Sequence, residues 1–193
     1  MTTFLRRQLL PAVRLLIVIT LLTGVIFPAI VTAAAQVAFP SQANGSLIVV
    51  DGKTVGSSLI GQAFDAPRYF WGRPSAAGAN GYDANGSGGS NLAPTSKALI
   101  DRITAEVDRL RAANGGGPVP VDLVTTSASG LDPDISPAAA ELQVARVAAE
   151  RKLSVADVEA AVARHTQQPM LGFIGQARVN VLLLNLDLDG ALR

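Results

Sequence analysis

The chain has 193 residues, 49% of them apolar and only 16% charged, which is too apolar for a disordered polypeptide and charge-poor for a plain soluble one. The 16 Lys+Arg and 15 Asp+Glu nearly cancel, so nothing suggests a nucleic-acid partner, which would need a basic patch. With no cysteine and one histidine, a disulfide scaffold, a thiolate metal site, a cysteine nucleophile and a multi-histidine metal site are excluded.

Three arginines, Arg6, Arg7 and Arg14, are the only charges before Asp51, and residues 15–50 carry none. Residues 15–35 read LLIVITLLTGVIFPAIVTAAA. At about 1.5 Å per residue they make a helix of about 32 Å, the thickness of a bilayer core. The expected organisation is a cytoplasmic basic N-terminus at 1–14, a transmembrane helix at 15–35 and a periplasmic domain at 36–193. The flanking arginines orient it by the positive-inside rule. Ala33–Ala35 resembles a cleavage site, but the apolar run is longer than a signal-peptide core. Within the span, Thr20, Gly24, Pro28 and Thr32 recur every four residues and form a small-residue stripe suited to another membrane helix. Pro28 removes a donor and crowds the carbonyl of Gly24, which predicts a kink.

The exterior part reads as one mixed α+β domain with no internal repeat. Residues 46–50 and 53–55 around Asp51-Gly52 predict a β-hairpin with a type I′ turn. Phe64, Tyr69, Phe70 and Trp71, flanked by Arg68 and Arg73, form an aromatic cluster. It is either a core cluster or an interface anchor, with Tyr69, Phe70, Trp71 and Arg73 as the interface candidates. Residues 75–91 are a long Gly/Ser/Asn-rich loop, expected to be mobile or ordered by a partner.

Leu99, Ile103, Val107 and Leu110 mark one face of a helix that starts after Thr95 or Ser96 and stops at Asn114-Gly115. Residues 119–125 read as a strand. Ser136-Pro137 opens a second helix that runs to about Arg151. Ser154 and Asp157 form a capping-box pair for a third, which ends near His165. Residues 179–184, β-branched and leucine-rich, read as a buried strand.

Motifs with chemistry are few. Gly52-Lys53-Thr54 imitates a phosphate loop but has Leu47 where that motif needs glycine. The segment Ser87, Gly88, Gly89, Ser90, Asn91 offers backbone N–H groups to an anion, without a lysine or metal ligand beside it. His165 with Ser127 or Ser129 and Asp132 is the one arrangement for a membrane-anchored periplasmic hydrolase, against an idle helix-terminal histidine. A secreted binding module released after Ala35 is the other alternative.

Several strings together are more specific: FPSQANGSL at 39–47, GSSLIGQ at 56–62, YFWGRPSA at 69–76, SGGSNL at 87–92 and SASGLDPDISP at 127–137. They continue with Gln143, Arg146-Val147-Ala148, LSV at 153–155 and VNVLLLNL at 179–186. Their order behind a single anchor closely resembles the KdpC family, the C subunits of the Kdp potassium-transporting ATPase. The resemblance implies a non-catalytic subunit of an ATP-driven potassium import complex in the bacterial inner membrane. It implies partners in a channel-like A subunit, a P-type ATPase B subunit and a very small F subunit. It implies a role in assembly and as a catalytic chaperone that raises the ATP affinity of the B subunit. No catalytic residue, metal or tightly bound cofactor comes with it. ATP enters only as a ligand shared with the B subunit, with contacts expected at Ser87–Asn91 and Gln143.

Overall fold

The structure is a computed structural model describing residues 2–192, so Met1 and Arg193 lie outside the described residues. The chain forms two compact units, Met1–Leu47 and Ile48–Arg193.

The first unit is mainly one long apolar helix. Helix α1 covers Thr2–Leu21, a π-helical turn covers Leu22–Ile26, and α2 covers Phe27–Ala38. The segment Arg7–Ala38 has the length and mean hydropathy (2.6) to cross a membrane, and its apolar window holds no buried residue. The π-turn sits directly before Pro28. There the Phe27 N–H donates to the Leu22 carbonyl, five residues back. A wide turn is what a proline demands when it cannot donate to the carbonyl four residues earlier. The expected kink site is therefore a π-turn. It also affects the stripe of Thr20, Gly24, Pro28 and Thr32. In a regular α-helix, positions four apart drift around the axis, because the turn holds 3.6 residues. The wider turn rotates less per residue and offsets that drift.

Phe39 leaves helical geometry ahead of Pro40, and a short helix, α3 (Pro40–Ala43), follows. Two side-chain amides lock this corner. Gln36 Nε2 donates to Asn44 Oδ1 (3.3 Å), and Asn44 Nδ2 donates back to Gln36 Oε1 (3.1 Å) and to the Pro40 carbonyl (2.7 Å).

Ahead of the second unit's core, β1 (Leu47–Val50) pairs with β2 (Lys53–Ser57). Asp51 and Gly52 have φ of 49° and 76°, the two positive values of the expected type I′ turn. The helices follow expectation. Helix α4 (Lys97–Asn114) buries Leu110 and half-buries Ile103 and Val107, and Gly115 ends it in the left-handed conformation. Helix α5 (Pro137–Arg151) is capped by Ser136, whose Oγ accepts from the Ala139 N–H (3.1 Å). Helix α6 (Val155–His165) is capped by Ser154, which accepts from the Asp157 N–H. The Asp157 carboxylate accepts from the Ser154 hydroxyl (2.6 Å), a side-chain variant of the capping box.

Two expected strands are corrected. Residues 119–125 hold a 3-10 turn, Val121–Leu123, not a strand. Pro118 and Pro120 remove ladder donors there, and the Asp122 carboxylate is occupied by the Ser136 N–H (2.7 Å) and hydroxyl (3.1 Å). The expected strand at 179–184 changes state midway. Strand β5 is Arg178–Asn180, and α7 is Val181–Leu188. Asn180 is the switch: its Oδ1 accepts from the Leu183 N–H (3.0 Å), an N-cap that turns the leucine run into helix. The sheet is small. Strand β5 lies between β3 (Asp134–Ile135) and β4 (Thr166–Gln167), antiparallel to both, with Val179 opposite Ile135 and Thr166. The core packs α4, α5, α6 and α7 around Phe70, Trp71, Val147, Val158, Val179 and Leu184. The unit is mixed helix and strand, as an α+β reading requires.

Candidate functional site

The segment YFWGRPSA runs through the core of the domain, though it has no regular structure of its own. Phe70 and Trp71 are buried. Their backbone groups find partners in two buried amides instead of a strand. Asn185 of α7 accepts from the Phe70 N–H (2.8 Å) and donates to the Phe70 carbonyl (3.0 Å). Gln143 of α5 accepts from the Trp71 N–H (2.8 Å) and donates to the Trp71 carbonyl (3.2 Å). The two side chains reproduce the pairing a neighbouring strand would supply, and so meet the demand of buried backbone polar groups.

Arg146 completes this bolt. Its Nη2 donates to Gln143 Oε1 (2.7 Å), its Nε to Asn114 Oδ1 (2.9 Å), and its Nη1 to the carbonyls of Tyr69 (2.9 Å) and Pro67. The guanidinium lies 3.9 Å from the centre of the Trp71 ring, and that of Arg109 lies 4.2 Å from it. Burial, then the nearby Arg109, pushes the Arg146 pKa down to about 10. At neutral pH a charge is thus held by neutral acceptors and a π face, with no carboxylate bonded to it.

These contacts decide two sequence expectations. Phe70 and Trp71 lie in the core, whereas Tyr69 and Arg73 are half-buried. Tyr69 donates to Asp189 (3.1 Å), which also pairs with Arg68 (3.0 Å) and Arg151 (2.8 Å). Arg73 pairs with Asp132 (2.8 Å). Gln143 is fully buried with both amide atoms engaged, so it has no surface to offer a nucleotide.

The Gly/Ser-rich loop at 75–91 is tied down by contacts within its own chain. Ser75 Oγ donates to the Gly130 carbonyl (2.6 Å) and accepts from the Tyr82 N–H (2.7 Å). The Tyr82 hydroxyl donates to the Arg73 carbonyl (2.6 Å). Burial, with Asp132 close by, pushes the Tyr82 pKa up to about 12, so the fold holds the neutral phenol. The Gly88 N–H and the Ser87 hydroxyl both donate to the Ser129 carbonyl (2.8 and 3.0 Å), and Ser90 faces Thr126 (3.4 Å). In Ser87, Gly88, Gly89, Ser90 and Asn91, the Gly88 N–H needed for an anion cradle is spent on the loop at 127–134. Gly130 shows how close the two loops approach: at φ 67°, a Cβ there would sit 2.6 Å from the Gly88 carbonyl. The result is two irregular segments sewn together.

The hydrolase arrangement does not assemble. His165 bonds Asp187 (3.1 Å), which also pairs with Arg164 (2.8 Å). Arg164 chiefly, then His165, holds the Asp187 carboxyl below the usual range. The Ser129 hydroxyl accepts from the Leu131 N–H (3.1 Å). Asn185 and Asp189 are the residues that sequence reasoning missed, and the pairing of Arg73 with Asp132 was not foreseen although both residues were singled out.

A candidate membrane helix followed by a mixed helix-and-strand domain has the build of a membrane-associated protein. Comparison with known proteins identifies which one. The sequence pattern described as KdpC, K+-transporting ATPase, c chain, matches residues 9–190. The potassium-transporting ATPase KdpC subunit of Sorangium cellulosum is 60% identical over 186 residues, covering 95% of this chain and 98% of its own length. Those of Polaromonas naphthalenivorans and Koribacter versatilis are 60% and 52% identical, covering 93% and 96% of this chain and 92% and 95% of theirs. The chain belongs to the KdpC family and is an accessory subunit of a potassium import complex. The hydrolase and secreted-module alternatives are not favoured.

Proposed function

We propose that this chain is a single-pass inner-membrane subunit, with its N-terminus in the cytoplasm and its α+β domain in the periplasm. It assembles with a channel-like subunit, a P-type ATPase subunit and a small subunit, and braces that complex. It raises the ATP affinity of the ATP-hydrolysing subunit without holding the nucleotide itself. The observation that carries this reading is the state of the polar groups in the domain. Gln143 is buried, and Gly88 and Ser87 are committed to Ser129. P-type ATP sites face the cytoplasm, on the far side of the bilayer from the domain in this orientation. Coupling therefore runs through the membrane helix, which biases one state of the partner. A photoreactive ATP analogue applied to the assembled complex should label the ATPase subunit and leave this chain unlabelled. Label recovered on residues 87–91 of this chain contradicts the reading.

A further inference from the structure

The most exposed apolar cluster of the second unit lies between α6 and β5. Met170, Leu171, Phe173 and Ile174 are 64%, 78%, 76% and 45% exposed, the longest such run in that unit among the described residues. They sit on a defined turn. Met170 and Ile174 exchange N–H···O bonds (both 2.9 Å), Gly172 N–H donates to the Pro169 carbonyl (3.0 Å), and Phe173 N–H donates to Met170 (3.3 Å). Leu171 and Gly172 take positive φ at the bend.

We propose that this turn inserts into the lipid interface of the bilayer. Three observations support lipid as the occupant. First, residues 166–177 carry no ionisable side chain, and the neutral glutamines at 167, 168 and 176 flank the apolar residues in sequence. The charges nearest in sequence are neutralised at the base, Arg164 by Asp187 and Arg178 by Asp134 (2.9 Å). Second, four of the five N–H groups at 170–174 are bonded within the turn. Lipid offers no hydrogen-bond partner, so a segment that enters it must satisfy its own backbone. Third, residues 39–46 are a short tether. At most about 3.5 Å each, they reach about 28 Å when extended, and α3 and the Gln36–Asn44 pair shorten that. The 146-residue unit beyond has a radius of gyration of about 15 Å. It therefore works beside the bilayer. Phe, Leu, Met and Ile on a rigid turn are the side chains that settle at the headgroup–acyl boundary.

This inference rests on the reading of Arg7–Ala38 as a membrane span, and the test separates the two. The chain has no cysteine, so single cysteines can carry a nitroxide at Phe173, at Leu171, at Val25 in the span and at Ala112 on the exposed side of α4. The full chain, alone and within its complex, is placed in vesicles of phosphatidylethanolamine and phosphatidylglycerol. Power saturation then compares collisions with dissolved oxygen and with a water-soluble nickel chelate. We expect oxygen to dominate several-fold at Val25, Leu171 and Phe173, and nickel at Ala112. Nickel dominance at Leu171 and Phe173 with oxygen dominance at Val25 overturns the insertion and leaves the anchor standing. Nickel dominance at Val25 overturns both. Protection of Leu171 and Phe173 from both quenchers in the complex also overturns the insertion, since a protein partner then covers the turn.

Discussion

Gln143 shows what a single side chain does in this domain. From α5 it holds the Trp71 N–H and carbonyl and receives the Arg146 guanidinium. Its leucine variant keeps the volume and orphans all three partners inside the core. Leaving a buried donor or acceptor unsatisfied costs roughly 1–3 kcal/mol, so Gln143→Leu should lose about that much stability or more in denaturant unfolding of the purified chain. A change under about 1 kcal/mol, the net worth of one ordinary hydrogen bond, contradicts the bolt. The sequence signals little of this. A glutamine on the inner face of an alanine-rich helix looks like a surface residue that has strayed inward, and Asn185 is hidden in a leucine run. Their partners are backbone groups 72 and 115 residues away, a pairing that no local pattern encodes.

At the scale of elements, legibility followed periodicity and caps. Helices α4, α5 and α6 declared themselves through apolar spacing, Ser96, Ser136, Ser154 and Gly115, and the Asp51-Gly52 turn through its residue types. The misread element was 179–184. A short apolar run suits a buried strand or a buried helix equally, and the deciding residue, Asn180, acts as a cap only because its amide meets the Leu183 N–H. Strands β3 and β4 are two residues each and exist through pairing with β5, so no alternation could reveal them. In the membrane helix, the π-turn was foreshadowed by Pro28. The stripe it realigns leads to a sharp expectation. A Cβ added at Gly24 meets only Thr20 Cγ2, at 4.0 Å, so Gly24→Leu leaves the helix itself undisturbed. It should lower the yield of assembled complex several-fold by blocking close helix approach, with this chain still present in the membrane. Unchanged assembly removes the stripe as a packing face.

For the whole molecule, the uneven distribution of charge was the most informative feature of the sequence. Residues 15–50 carry none, and behind them stands a unit with 13 basic and 15 acidic residues. That split separated anchor from domain before any geometry, and the structure places the division at Leu47. Function was legible only through the ordered strings that resemble the KdpC family. YFWGRPSA and Gln143 with Arg146 prove to be the two sides of one buried bolt. In this chain they hold the fold together. The central claim is that the chain works as part of a membrane complex. It is tested most directly by solubilising membranes in mild detergent and purifying through a tag on this chain. The account predicts recovery with large membrane subunits in fixed ratio, among them a potassium-stimulated ATPase. Recovery of the intact chain alone, from membranes that contain those subunits, would contradict it.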